Sequence, residues 1–242
     1  NTNLQTADSA GTMSAMMTGV KTKGGVISLG AEVVNDNCDS GKNNNTITLL
    51  ELAEKAGMST GIVTTSKITH ATPAATYAHS VSRGWEADSD IPKSERAKGC
   101  VDIAQQLIDF PFGDGLEVAL GGGRKNLLPK QTQDPEYLSK KGARTDNQNL
   151  MLKWQEKYPD AKAIWNLDQF NQINVTKKKH LLGVFEPSHM PYEHNRNKDK
   201  AGEPSLSQMA QKALGIVTNT KKPYFLMMEG GRSDHGHHAS NA

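Results

Sequence analysis

The sequence has no long apolar run. The longest near the C-terminus, Tyr224 to Met228, is far short of the roughly 20 residues that a membrane-spanning helix needs, so such a span is excluded. An excess of charge of one sign is absent too. The 28 Lys and Arg against 26 Asp and Glu leave a formal charge of +2, whereas a reader of the nucleic-acid backbone carries a large basic surplus. Position 1 lacks Met, and the residues after Asn1 have no signal-peptide apolar stretch; either processing removed one or this is an internal piece of a longer chain. Cysteine is scarce: Cys38 and Cys100 permit one internal disulfide. Joining them would close a loop of about 62 residues, worth ~4 kcal/mol by chain entropy. Two buried free thiols are the alternative, and the count does not separate the two. Neither cysteine has a second Cys or His within four residues, so spacing gives no zinc signature.

Hydrophobic residues make up 36% of the 242, and a compact chain of this mass would bury roughly 70% of its unfolded surface, enough for a sizeable core. Mean hydropathy is −0.61, but Gly and Pro are dispersed, which argues against bulk disorder. Ile47, Leu50, Leu52, Ala53 and Ala56 recur at helical spacing up to Gly57, a C-cap residue type. Thr60 to Thr65 is rich in β-branched residues and predicts a strand. Pro73 suits the first turn of a helix reaching about Arg83, with Thr72 as its N-cap. Val101, Ala104, Leu107 and Ile108 mark a helix ending before Pro111, and Leu116 to Leu120 predicts a strand entering Gly121-Gly122-Gly123. Asn149 to Lys157 and Leu206 to Val217 read as helices, Leu181 to Phe185 as a short apolar run, and Tyr224 to Glu229 as the last clear strand. Strands separated by helices imply an α/β fold, a three-layer sandwich whose central, mostly parallel sheet is flanked by helices. Residues 125–148 and 187–204 are polar and rich in Pro, Asn and Lys. They read as surface excursions of one domain spanning 1–242 rather than as linkers.

The densest chemistry follows the last strand. Glu229-Gly230-Gly231-Arg232-Ser233-Asp234-His235-Gly236-His237-His238 holds three of the eight histidines within four residues. Asp234 and His238 are i and i+4, so a helix brings them to one face, a spacing that suits a metal ion. Glu229 ends the strand, where parallel sheets gather ligands. Carboxylate with imidazole favours zinc, and carboxylate with hydroxyl favours magnesium. An exposed histidine cluster is the plainer explanation of the same spacing. Small residues around Ser9, ahead of Met13, Met16 and Met17, fit a hydroxyl at a helix N-terminus, where free N–H groups and the dipole favour an anion. An ordinary helix cap is the plainer alternative there. In isolation His70 reads as a satisfied polar residue and Arg83 as a surface cation. Gly121 to Gly123 lacks G-x-G-x-x-G spacing and no Gly-Lys-Ser/Thr follows, so no nucleotide loop is implied.

Taken in order, these segments resemble alkaline phosphatase, in the form shared by animal enzymes and several marine-type bacterial ones. The resemblance rests on Asp8-Ser9-Ala10, on His70-Ala71-Thr72-Pro73-Ala74 with Arg83 eleven residues after Thr72, and on Gly121-Gly122-Gly123-Arg124-Lys125. Phe185-Glu186-Pro187 and Glu229 through His238 complete it, and the five motifs cover nearly the whole chain. It implies that Ser9 is phosphorylated during turnover and binds a second zinc, and that Arg83 grips the phosphoryl oxygens with its planar fork. It also implies Asp234 and His238 as ligands of the first zinc, and Thr72 and Glu229 as magnesium ligands. His235 would contact phosphate through water, and His70 would border the magnesium. Cys38 and Cys100 fall where the animal enzymes pair two cysteines. That implies a disulfide and, with the family's habit of export, a periplasmic or secreted setting. Phe185 (through its carbonyl), Glu186 and Glu203 match a calcium site of animal relatives; Gln169 stands where a Glu ligand is expected, one charge fewer.

The family pattern also has a metal-bridging Asp before the serine and further Asp and His ligands after the last motif. None of those positions falls within these 242 residues, so the chain is expected to be an incomplete piece of a longer enzyme, catalytically feeble alone. The implied activity is hydrolysis of small phosphomonoesters through a phosphoserine, with two zinc ions and one magnesium, releasing inorganic phosphate. A homodimer is implied for the full-length protein. Competing readings are a phosphodiesterase or sulfatase of the same superfamily, disfavoured by Arg83 and the doubled His237-His238, and a phosphate- or metal-binding module without turnover.

Overall fold

The computed structural model describes residues 1–177 and 180–240. Strands β1 (Ser59–Lys67), β2 (Val118–Gly122), β3 (Lys162–Ile164), β4 (Leu181–Val184) and β5 (Tyr224–Glu229) form one sheet in the order β3-β4-β2-β1-β5. Every pairing in it is parallel. The connections hold helices α1 (Ser9–Thr18), α2 (Cys38–Gly41), α3 (Leu49–Lys55), α4 (Ala71–Tyr77), α5 (Lys93–Ala97) and α6 (Ile103–Asp109). They continue with α7 (Leu150–Lys157), α8 (Leu167–Asn171), α9 (Glu193–Arg196), α10 (Leu206–Asn219) and α11 (Gly231–His238).

Successive side chains of a strand point to opposite faces, so a sheet covered on both sides needs apolar residues at nearly every position. Ile62, Ala119, Leu182 and Met227 pack with α1, α3, α4, α6 and α7 in one core. Their neighbours Val63, Val118, Leu120 and Leu181 pack with α8 and α10 in the other. This is why the strands read as continuous apolar runs, and it gives the three-layer α/β sandwich expected. In α10, Met209, Ala213, Ile216 and Val217 bury one stripe, and Ser205 with Gln208 forms a capping box at its start. No helix among the described residues is long and apolar enough to cross a membrane.

The expected helix from Pro73 to about Arg83 ends at Tyr77, and its N-cap is His70, not Thr72. Beyond it the chain is extended. Ser80 bridges Ile27 in antiparallel fashion, and the Arg83 N–H donates to the Gly25 carbonyl at 2.7 Å. Val81 buries against Val26, Leu29, Val33 and Trp85, and these tertiary contacts override helical propensity. Cys38 and Cys100 are joined by a disulfide beside that cluster, with Cα atoms 5.7 Å apart. The excursion at 125–148 is pinned to the domain by buried cations: Arg124 pairs with Asp134 and Glu136, and Arg144 with Asp102 and Asp146.

Candidate active site

Parallel strands end together, and the site lies past the C-terminal ends of β1 and β5. Asp8 caps α1, its Oδ1 accepting from the Gly11 N–H at 3.1 Å. Ala10, Met13 and Met17 anchor that helix in the core, so Ser9 is fixed at its first position. Glu229, the last residue of β5, sits in register with Thr64 of β1 and accepts from its hydroxyl at 2.5 Å. The Arg232 N–H donates to Thr65 Oγ1 at 3.0 Å, which ties the start of α11 to the same edge. One turn into α11, Asp234 Oδ2 and His238 Nε2 lie 3.6 Å apart on an exposed face. Thr72 falls inside the first turn of α4. Ser9, Thr72, Glu229 and Asp234 line one cleft of about 480 Å³.

Arg83 reaches this site from its extended segment. Its Nη1 donates to Asp8 Oδ2 at 3.0 Å and its Nη2 to His70 Nε2 at 3.1 Å. Burial alone would raise the Asp8 pKa; the Gly11 N–H, the Arg83 guanidinium and the Gly25 N–H outweigh it and hold the carboxyl below the ordinary carboxylate value. His70 and His235 meet with a third ring, His189, in T-shaped contacts. Burial first, then the Arg83 charge, pushes His70 down to about 3, and burial with Lys67 does the same to His189. Burial, then Arg232, also lowers His235. The rings are therefore neutral at physiological pH.

A second cluster lies around β4. Glu186, Glu136 and Asp199 offer carboxylate oxygens within 4.8 Å of one another, and both carboxylate oxygens of Glu203 are buried without a partner. Burial, then Glu186 and Asp199, pushes Glu203 up to about 9; burial, then Asp199, pushes Glu136 to about 7. Buried acids that raise one another in this way fit a divalent cation. Of the other residues expected there, the Phe185 carbonyl accepts from Arg124 Nη1 at 2.9 Å, and Gln169 Oε1 accepts from the Trp165 N–H at 2.9 Å.

Sequence reasoning missed His189, Glu136, Asp199 and the partnership of Asp8 with Arg83. His189 stands only four residues past Phe185, but its neighbours come from β1, the start of α4 and α11. Glu136 and Asp199 lie in the two polar excursions, where an acid gives no periodic signal.

The alkaline phosphatase family model matches residues 1–242. An alkaline phosphatase of Gadus morhua is 42% identical over 98% of this chain, which covers 50% of it. An alkaline phosphatase, tissue-nonspecific isozyme, of Gallus gallus is 42% identical over the whole chain, which covers 47% of it. The crystal structure of Thermus thermophilus alkaline phosphatase superposes with a TM-score of 0.72 at 28% identity, over 97% of this chain and 40% of that one. The chain thus spans about half the length of the curated relatives it matches, and it belongs to the alkaline phosphatase family.

Proposed function

We propose that the protein hydrolyses phosphomonoesters by passing the phosphoryl group to Ser9 and then to water. The shared cleft of Ser9, Thr72, Glu229 and Asp234, at a helix N-terminus and with Arg83 held by Asp8 beside Ser9, carries this reading. The residues fit divalent cations: Asp234 with His238 is a carboxylate–imidazole pair suited to zinc, and Thr72 with Glu229 pairs hydroxyl and carboxylate for magnesium. Ser9 Oγ would be a ligand of a second zinc. Two zinc ions and one magnesium, when bound, supply a lowered hydroxyl pKa and neutralisation of developing negative charge.

The chain's own residues do the rest. Ser9 Oγ attacks phosphorus in line, the ester oxygen leaves, and the free N–H groups at the start of α1 favour the anion arriving there. Arg83 binds two equatorial oxygens with its fork, and the ionised Asp8 carboxylate orients it. His235 directs a water toward the phosphate, and His70 borders the magnesium site. Water then cleaves the phosphoserine, releasing inorganic phosphate and restoring the hydroxyl. Little contact with the alcohol is needed, so a broad range of small phosphomonoesters is expected. Calcium at Glu186 and Glu203, with Phe185 and Gln169 beside them and Glu136 and Asp199 adding charge, belongs to the same proposal. So do export to the periplasm or exterior, which the disulfide supports, and assembly as a homodimer.

The test is hydrolysis of p-nitrophenyl phosphate by the natural protein at alkaline pH. Loss of turnover on chelation and in Ser9→Ala supports the proposal. Phosphate binding without release of nitrophenol would make the protein a binding module.

A further inference from the structure

His79 opens the extended segment that carries Arg83 away from α4, and every polar atom it has is engaged. Its N–H donates to Gln106 Oε1 at 2.8 Å, and its carbonyl accepts from Gln106 Nε2 at 3.0 Å. A carbonyl oxygen can only accept, so Nδ1 of the ring donates to the Ser28 carbonyl, at 2.7 Å. Nε2 lies 2.7 Å from Glu51 Oε1 and shares a proton with it. The side chains of His79 and Glu51 are 14% and 3% exposed. Glu51 cannot turn away to water, because its Oε2 accepts from the Thr48 N–H at 2.9 Å and closes the capping box of α3.

Ser28, the ring's other partner, is itself fixed from two helices. Its N–H donates to Ser14 Oγ of α1 at 2.8 Å, and its hydroxyl to the Ala75 carbonyl of α4 at 2.7 Å. It does this at φ +46, a conformation that a residue with a side chain keeps only where its surroundings over-determine it. From Ser28 the chain runs antiparallel to residues 80–83. Ile27 and Ser80 exchange both backbone bonds, at 2.8 and 2.9 Å, and the Arg83 N–H donates to the Gly25 carbonyl at 2.7 Å. The Gly25 N–H donates at 3.0 Å to Asp8 Oδ2, the same oxygen that accepts from Arg83 Nη1. The two segments are therefore clamped at one end by the His79 ring and at the other by Asp8.

A slip of one residue in this pairing would turn the Arg83 side chain to the opposite face, and a planar fork tolerates little misplacement against an oxyanion. His79 itself stands back from the chemistry: four extended residues span roughly 13 Å. A buried polar pair adds little net stability over apolar residues of the same volume, and what it does supply is one defined arrangement. We propose that His79, held by Glu51, is a positioning residue for Arg83. It fixes the register of residues 79–83 on residues 25–28, and with it the place of the guanidinium beside Ser9. Its effect on turnover rests on the phosphomonoesterase reading; its effect on phosphate affinity does not.

The experiment is calorimetric titration of the natural, metal-loaded protein with inorganic phosphate, in a double-mutant cycle of His79→Ala and Arg83→Ala. His79→Ala is expected to weaken phosphate binding about threefold to tenfold, the coupling usual within one hydrogen-bond network. Once Arg83→Ala is present it should add nothing. His79→Gln, whose amide carries two N–H donors, should restore part of the affinity. Unchanged affinity in His79→Ala overturns the proposal. So does an equal loss with and without Arg83, which would make His79 a structural residue. Should His79→Ala fail to fold, His79→Phe with Glu51→Leu removes the polar bonds and leaves no buried carboxylate unpaired. That pair is expected to keep the melting temperature while phosphate affinity falls, and unchanged affinity in it overturns the proposal equally. Hydrolysis of p-nitrophenyl phosphate is measured separately. If the unsubstituted protein binds phosphate but releases no nitrophenol, the phosphomonoesterase reading fails, and the positioning of Arg83 is still read from the cycle.

Discussion

Asp8 and Arg83, 75 residues apart, meet in a hydrogen-bonded ion pair of 3.0 Å. One carboxylate caps the helix that begins at Ser9, accepts from the Gly25 N–H at 3.0 Å and holds the guanidinium. The hydroxyl and the cation that would act on one phosphoryl group are therefore positioned by the residue between them.

In the proposed reaction this pair serves to orient Arg83 more than to stabilise the fold. Its side chains are 32% and 22% exposed, where an ion pair contributes ~1 kcal/mol or less. Arg83→Ala is expected to weaken phosphate binding about tenfold or more, with only a small change in melting temperature. Titration with phosphate alongside a thermal scan checks this. A fall of about 10 °C or more would recast Arg83 as a structural residue.

Stability should vary with pH through Glu117. Buried just before β2, its carboxylate accepts from the Thr60 N–H at 2.6 Å. Burial, with Glu54 and Asp114 nearby, raises it from 4.5 to about 7. The folded chain then holds a proton that the unfolded chain releases. The stability this contributes is complete below about 4.5 and is lost as the pH rises through about 7. Urea melts stepped across that window should show stability falling, and Glu117→Gln should flatten the slope. An unaltered slope in the variant counts against the assignment.

Calcium should stabilise the protein through the acidic cluster. At a hundredfold excess over its dissociation constant, a ligand bound only by the folded state adds ~2.7 kcal/mol. Calcium is expected to raise the melting temperature of the natural protein, and more so at pH 9 than at pH 6, because Glu203 titrates at about 9. The rise should vanish in Glu186→Gln. Equal responses in both proteins would remove calcium from this site.

Reduction of the Cys38–Cys100 bond frees a loop spanning 62 residues, and chain entropy puts the loss at ~4 kcal/mol. Cys38→Ser with Cys100→Ser should unfold at clearly lower urea concentration than the oxidised protein. Coincident curves would show that the packing of Trp85 and Val81 suffices there.

The sheet and the site were legible to different depths. β1, β2, β4 and β5 declare themselves because strands buried on both faces must be apolar throughout, and α10 because its stripe repeats at helical spacing. β3 has three residues, too few for any period, and exists because β4 offers it an edge. Arg83 could be placed by its motif but not by its local structure, since the bridge from Ser80 to Ile27 overrides a helix-like sequence. Ser9, Glu229 and Asp234 were visible as chemistry and Thr72 only through the resemblance, whereas His189 depends on a loop lying against Gly122, which no spacing records.

The most direct measurement is mass spectrometry of the natural protein, acid-quenched while it turns over p-nitrophenyl phosphate. One phosphoryl group on the peptide that carries Ser9, absent from Ser9→Ala, is the expected result. Undiminished turnover in Ser9→Ala, or label on another residue alone, would contradict it.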